Sequence, residues 1–252
     1  MILKCENINY NYGKRKVINN VSLGIKKGQF TGIVGDNGSG KSTLMKILSG
    51  ILFDYNGKVF FENEELNEKN RIKIGYIFQN PENQIVGVTI EEDVAFGMEN
   101  MGVPRKEMIK KIQWALSIVG MSGFEKRDPN TLSGGQKQRL AIASILAMDP
   151  EVIFMDEPTT MLDPVGRLEV YTVIKKLVEL KKTVVIASHH SQDLRDVERI
   201  IALKNGKIIF DGNKNNFYKT NKLNIEEPIE IRTKKILHMN YEELVNKLAD
   251  RT

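Results

Sequence analysis

Gln29-Phe30-Thr31-Gly32-Ile33-Val34-Gly35-Asp36-Asn37-Gly38-Ser39-Gly40-Lys41-Ser42-Thr43 is the stretch on which the fold turns. Residues 29–34 read as a strand, and residues 42–48 read as a helix ended by Gly50. Between them, Gly35 to Thr43 fits the pattern G-x-x-x-x-G-K-S/T in the strand–loop–helix setting that the pattern requires. Glycines let successive backbone N–H groups curl around the β- and γ-phosphates of a nucleotide without side-chain clashes. The helix that follows turns its positive N-terminal end to the same anion. Lys41 adds a point charge, and the Ser42 hydroxyl is placed to ligate Mg²⁺.

Downstream, Val152-Ile153-Phe154-Met155 is a short apolar strand that ends in Asp156-Glu157. A strand end delivers carboxylates to the open edge of an α/β sheet, beside the phosphate loop. Asp156 there is expected to hold Mg²⁺, and Glu157 to activate or orient an attacking water. Strands and helices alternate from there on: helix 164–180, strand 183–187, helix 191–197 and strand 200–203. That alternation predicts a parallel sheet with crossover helices. Upstream, residues 1–30 read as short strands with turns at Asn11-Gly13-Lys14 and Lys27-Gly28, and segments 58–62 and 72–78 as further strands. Residues 81–147 are helical in pattern. In segment 104–119, Met108, Ile112, Ala115, Leu116 and Val119 mark one face; Trp114 and Ile118 fall off it and are expected as ordinary core contacts, with a partner-docking surface as the alternative.

The chain has 252 residues, 41% hydrophobic and 27% charged, enough to bury a core without disulfides. Its apolar runs are strand-sized, far from the 18 or more residues of a membrane span, and MILKCENINY has no secretion-signal layout. A cytoplasmic chain that meets a membrane only through partners is expected. Cys5, the only cysteine, reads as buried strand filler. The net charge of +5 is spread along the chain without a block of like charge, which predicts a solvated surface rather than a nucleic-acid site.

Leu132-Ser133-Gly134-Gly135-Gln136 makes sense as a helix start, with Ser133 as N-cap, Gln136 three residues on, and apolar residues following. Its exposed N–H groups form a second anion site. One helix end attracts an anion by only ~0.3–1 kcal/mol, so it suits completing another phosphate site. With this run the sequence resembles the ABC ATPase family, whose signature is LSGGQ; the resemblance covers residues 1–215 and keeps the order of the family's motifs. It implies that Tyr12 stacks on adenine, that Gln79 reaches Mg²⁺ and the attacking water, and that Asp163 crosses a dimer interface while capping its own helix. It also implies that His189 contacts the γ-phosphate. Two departures stand out. His189-His190 replaces the commoner His-Asp, and adjacent residues at a strand end are expected to point apart, with His189 facing the phosphate. Thr160-Met161-Leu162 replaces the commoner Ser-Ala-Leu. The family implies a P-loop α/β fold: a parallel-sheet core, an N-terminal antiparallel β subdomain, an inserted helical subdomain at about 81–147, and a short C-terminal helical extension. The nucleotide-binding domain is expected over 1–220 and the extension over 221–252, where Asn240-Tyr241-Glu242-Glu243 resembles a capping box for a last helix.

Phe78-Gln79-Asn80-Pro81-Glu82-Asn83-Gln84, the following run 86–97, and segment 160–167 are similar to ATPase subunits of energy-coupling factor (ECF) transporters. The implied cofactors are ATP and Mg²⁺. The implied partners are a second ABC ATPase, identical or not, a transmembrane coupling subunit and a vitamin-binding membrane subunit, met at the cytoplasmic face of the cell membrane. Cobalt and nickel importers share much of the pattern and are the alternative. DNA-repair ABC ATPases carry long coiled coils or zinc modules between the two motif halves, and translation-associated ones join two ATPase halves. This chain has a compact insert, one phosphate loop and one signature, so neither class fits.

Overall fold

The computed structural model describes residues 1–220 together with residues 223, 228 and 233. The expected extension 221–252 with its capping box lies, those three positions apart, outside the described residues. Strands β1 (Leu3–Tyr12) and β2 (Arg15–Ile25) form a hairpin whose turn holds Gly13 and Lys14. Then come β3 (Phe30–Val34), α1 (Lys41–Leu48), β4 (Asn56–Phe61), β5 (Glu64–Glu65) and β6 (Ile74–Ile77). Helices α2 (Ile90–Asn100), α3 (Arg105–Ile118) and α4 (Gly134–Ala147) follow, before β7 (Val152–Asp156), α5 (Pro164–Glu179) and β8 (Thr183–Ala187). Strands β9 (Arg199–Lys204) and β10 (Lys207–Asn213) lead into α6 (Lys214–Thr220).

These strands form two sheets. One is antiparallel with order β2-β1-β4-β5, and the other has order β10-β9-β3-β8-β7-β6. In the second, β9, β3, β8, β7 and β6 run parallel, and β10 is antiparallel to β9. The parallel strands are apolar on both faces, as a sheet covered on both sides requires. Along β7, Val152 and Phe154 pack with α1 and the antiparallel sheet, while Ile153 and Met155 pack with α2, α4 and α5. Strands β8 and β9 alternate in the same way, so the sheet is the middle layer of three.

Register aligns the strand ends that matter. Ala187 lies opposite Ile33 on one side and Asp156 on the other, and Met155 lies opposite Ile77. The loops after β3, β8, β7 and β6 therefore leave one edge of the sheet at the same level, where open α/β sheets place ligands.

Two local expectations are corrected. Residues 191–197 form a single 3-10 turn, Ser191–Leu194, not a helix. With Leu194 and Val197 already in the core and β9 starting at Arg199, too few residues remain for one. The strand at 72–78 is shorter, because a 3-10 turn occupies Arg71–Lys73. Ile118, off the main stripe of α3, packs against the core as an ordinary core contact is expected to, while Trp114 stays partly exposed.

Candidate functional site

The loop from β3 to α1 folds back on itself through glycines in positive-φ conformations: 155° at Gly35, 77° at Gly38 and 106° at Gly40. At Gly40 a Cβ would stand 2.8 Å from Ile18 Cδ1 and 3.0 Å from the Val17 carbonyl, so the loop is pressed against β2 and only glycine fits. A brace from far along the chain completes it. The turn of the β9–β10 hairpin, Asn205-Gly206, sends the Gly206 N–H to the Ser39 carbonyl (3.0 Å), while the Gly206 carbonyl accepts from Asn19 N–H (2.9 Å). Both turn residues have positive φ, as a two-residue Asn-Gly hairpin turn needs.

Lys41 is 5% exposed and points back along the loop, donating to the carbonyls of Gly35 (2.9 Å) and Asp36 (3.3 Å). Its ammonium lies 3.7 Å from Glu157 Oε1. The Ser42 hydroxyl donates to Asp156 Oδ1 (2.8 Å), and the Tyr76 hydroxyl to Asp156 Oδ2 (2.9 Å). Burial, and then the Asp156 charge, push the Tyr76 phenol well above its ordinary range, so it stays a donor. A hydroxyl and a carboxylate in contact fit a Mg²⁺ that takes its remaining oxygens from water and phosphate, the usual habit of that ion.

Glu157 follows β7 with φ 46°, a left-handed backbone rare for glutamate. Its Oε2 accepts from two donors, Gln79 Nε2 at 3.4 Å and Thr160 Oγ1 at 3.2 Å, and His189 Nδ1 approaches it to 3.3 Å. The sheet edge thus brings Lys41, Ser42, Gln79, Asp156, Glu157 and His189 together. A cavity of about 610 Å³ opens over them, bounded on its far side by Tyr12 and Arg15. Tyr12 is half exposed and meets Tyr10 edge to face, with 4.8 Å between ring centroids, which leaves a ring surface at the cavity. Asn37, Gly38, Gly40 and Thr43 also line the cavity, while Gly35, Ser39 and Asp156 are buried outside its lining and Asp36 is exposed beside it.

The expectation that His189 and His190 point apart is corrected. Their ring centroids lie 4.1 Å apart with 38° between planes. Strand β8 ends at Ala187, so the pair sits in a bend where the two-residue alternation of a strand no longer applies. His189 is exposed at the cavity, whereas His190 lies behind it with its Nε2 buried and unpartnered among the described residues.

Ser133 caps α4 in a reciprocal box: its Oγ accepts from Gln136 N–H (3.3 Å), and Gln136 Oε1 accepts from Ser133 N–H (3.0 Å). Asp163 caps α5 by accepting from Gly166 N–H (2.9 Å). The two helix starts touch through glycines, since a Cβ on Gly135 would stand 3.0 Å from Gly166 Cα. Ser133, Gly134, Gly135, Gln136 and Asp163 are all absent from the cavity lining. The Ser133 and Asp163 caps therefore lie outside the cavity over the phosphate loop, though Gln79 lines both that cavity and the smaller one beside Gly134.

Sequence reasoning missed Arg15, Thr160 and Tyr76. A tyrosine in the otherwise apolar β6, beside the acidic strand, is a signal that could have exposed Tyr76, because a buried phenol needs a hydrogen-bond partner. Nothing in the sequence singles out Arg15.

Residues 18–160 match the family described as ABC transporter. The chain belongs to the ABC transporter family. It is similar to the energy-coupling factor transporter ATP-binding protein EcfA1 of Lactococcus lactis subsp. lactis, 41% identical over 99% of this chain and 98% of that protein. Among solved structures it is similar to cbiO1 from Clostridium perfringens, part of the ABC transporter complex cbiONQ (TM-score 0.79, 36% identity, 86% of this chain and 90% of that one). It is also similar to the ATP-binding cassette MJ0796, solved as a dimer in a post-hydrolysis state with ADP and Pi (TM-score 0.72, 33% identity, 84% and 98%). As an ABC-type ATPase the chain binds ATP and couples its hydrolysis to transport. No helix of the described residues is long and apolar enough to cross a membrane.

Proposed function

We propose that this ABC ATPase powers uptake of a vitamin or similar micronutrient as an ATPase subunit of an ECF-type transporter. The observation that carries this reading is the similarity to an energy-coupling factor ATP-binding protein over almost the full length of both chains. Residues 1–220 act as the nucleotide-binding domain, with residues 81–147 as its helical subdomain. The chain sits at the cytoplasmic face of the membrane, paired with a second ABC ATPase and seated on a transmembrane coupling subunit that works with a substrate-binding membrane subunit.

Within the site, Tyr12 stacks on the adenine and the Gly35–Thr43 loop wraps the phosphates. The two carbonyls and the carboxylate that now engage Lys41 give way to phosphate oxygens. Ser42, Asp156 and Gln79 hold Mg²⁺, which when bound neutralises phosphate charge. Glu157 orients and deprotonates the attacking water, supported by Gln79, Thr160 and His189 on its other oxygen. Ser133 to Gln136 and Asp163 stand outside the cavity and serve the partner's nucleotide, a reading supported by the dimer of the similar cassette with ADP and Pi.

Affinity capture of the tagged chain from detergent-solubilised native membranes tests the transporter reading. It should recover a second ABC ATPase with two integral membrane proteins, and reconstituting them should raise ATP turnover. Recovery of the chain without membrane proteins, with turnover stimulated by DNA or ribosomes, would overturn it. A cobalt or nickel importer is the second reading, favoured by the similarity to cbiO1. Uptake assays with vitamins against Co²⁺ and Ni²⁺ in the reconstituted complex separate the two.

A further inference from the structure

Asp193 carries a buried carboxylate that nothing above uses. It lies in the Ser191–Leu194 turn and is 1% exposed. Its Oδ2 accepts from two hydroxyls at once, Thr159 Oγ1 and Ser188 Oγ, each at 2.7 Å. Both donors are wholly buried. The Ser188 oxygen in turn accepts from His190 N–H at 3.0 Å, while Asp193 Oδ1 has no hydrogen-bond partner among the described residues. The nearby His189 and Arg195 approach Glu157 and Asp196, and the Asp193 charge is felt by the His190 imidazole. An ionised side chain so placed is costly to bury, and an apolar side chain of similar size would spare that cost.

The two donors show what it does. Thr159 stands two residues after Glu157, next to Thr160, whose hydroxyl contacts Glu157, and four before Asp163. Ser188 immediately precedes His189, which reaches the same Glu157 oxygen. The carboxylate thus ties the loop after β7 to the bend after β8 behind the site, while Glu157 and His189 tie them in front of it. Charge-assisted O–H···O bonds of this length are short and strong, and they fix hydroxyl rotors that would otherwise turn freely.

We propose that Asp193 is a positioning residue for hydrolysis: it holds the Glu157–Asp163 loop and the His189 bend in one fixed relation. This deepens the functional reading above and rests on it. A nucleotide sensed by His189 is then felt at Asp163, and the reverse.

Thr159→Val deletes one hydroxyl with little change in shape, and Asp193→Asn keeps an acceptor in place of the carboxylate. Tyr171→Phe deletes a hydroxyl–carboxylate contact outside the cavity lining, that of Tyr171 with Asp196 (2.9 Å), and controls for general loosening. In the full chain, assembled with its partners, Thr159→Val and Asp193→Ala should each lower kcat about tenfold, the kinetic equivalent of one net hydrogen bond. ATP affinity should stay within about twofold, and Asp193→Asn should recover most of the loss.

The chain has three histidines, His189, His190 and His238, so imidazole ¹H–¹⁵N signals can be assigned by single substitution. The His189 signal should move in Thr159→Val and stay put in Tyr171→Phe. An unchanged kcat with an unmoved His189 signal in folded Thr159→Val overturns the proposal. So does an equal loss in Tyr171→Phe, or a raised KM at constant kcat. If Asp193→Ala does not fold, Thr159→Val decides. The imidazole signal needs no turnover, so a wild-type assembly that fails to hydrolyse ATP counts against the functional reading and still leaves the coupling measured.

Discussion

Glu157 combines a left-handed backbone with a buried carboxylate facing Lys41, a pairing in which local strain and function meet at one residue. Glu157→Gln keeps the shape and most contacts but removes the base. ATP binding should persist while steady-state turnover falls by roughly 10²–10⁴-fold, the usual contribution of a general base. Near-normal turnover would remove Glu157 from that role. His190 supplies a different kind of test. Burial first, then the neighbouring charges of His189 and Arg167, hold its imidazole below the ordinary value of 6.5. The unfolded chain therefore takes up this proton more readily than the folded one. Stability from this source is complete above pH 6.5 and falls as the pH drops through the folded value. Thermal melts at pH 7.5 and 5.5 should show a smaller acid loss for His190→Gln than for the wild type. Equal losses in both would mean that His190 titrates as freely in the folded chain as in the unfolded one.

Among the elements, the joined starts of α4 and α5 are the most demanding piece of packing. Gly166 lies in the first turn of α5, where alanine ordinarily gains about 1 kcal/mol of helix propensity over glycine. Here a Cβ would stand 2.7 Å from Asp163 Oδ1 and 3.4 Å from Gly135 Cα. It would displace the cap, which contributes about 0.5–2 kcal/mol. Gly166→Ala should therefore destabilise the chain in urea titrations; a gain in midpoint would show that the two helix starts can part. The cap at Ser133 and the cap at Asp163 were both legible in the sequence, because each is a local pattern of a few residues. So were the phosphate loop, the acidic end of β7 and the alternation that yields a parallel sheet. Gly166, Thr159 and Asp193 were not, because their roles depend on what approaches them across the fold. The β9–β10 hairpin was within reach: Asn205-Gly206 between apolar runs is a strong hairpin signal. In segment 191–197, Leu194 and Val197 stand three residues apart as on a helix face, and that spacing does not reveal that Asp193 is committed to Thr159 and Ser188.

For the molecule as a whole, the separation of Ser133 from the phosphate cavity sets the decisive test of a shared site. Ser133→Arg should leave ATP binding by the lone chain intact yet abolish ATP-driven pairing and turnover, and Lys41→Ala should weaken ATP binding itself. When the two variants are mixed with any required partner, one composite site carries both lesions and the other carries neither. ATPase activity should partly return on mixing, and failure to return while the variants demonstrably pair would exclude a site built from two chains. The brace at Gly206 has a consequence of another kind, in the order in which the chain is made. Among the described residues, strand β3 finds its sheet neighbours in β8 and β9, and the Ser39 carbonyl finds its backbone donor at Gly206. At ordinary translation speeds the ribosome needs on the order of 10–30 s to get from Ser39 to Gly206. A nascent chain thus displays its phosphate-binding residues early but cannot close them into a cradle until Gly206 has been made, so ATP meets only a chain that already carries its acidic strand, its signature helix and its histidine bend.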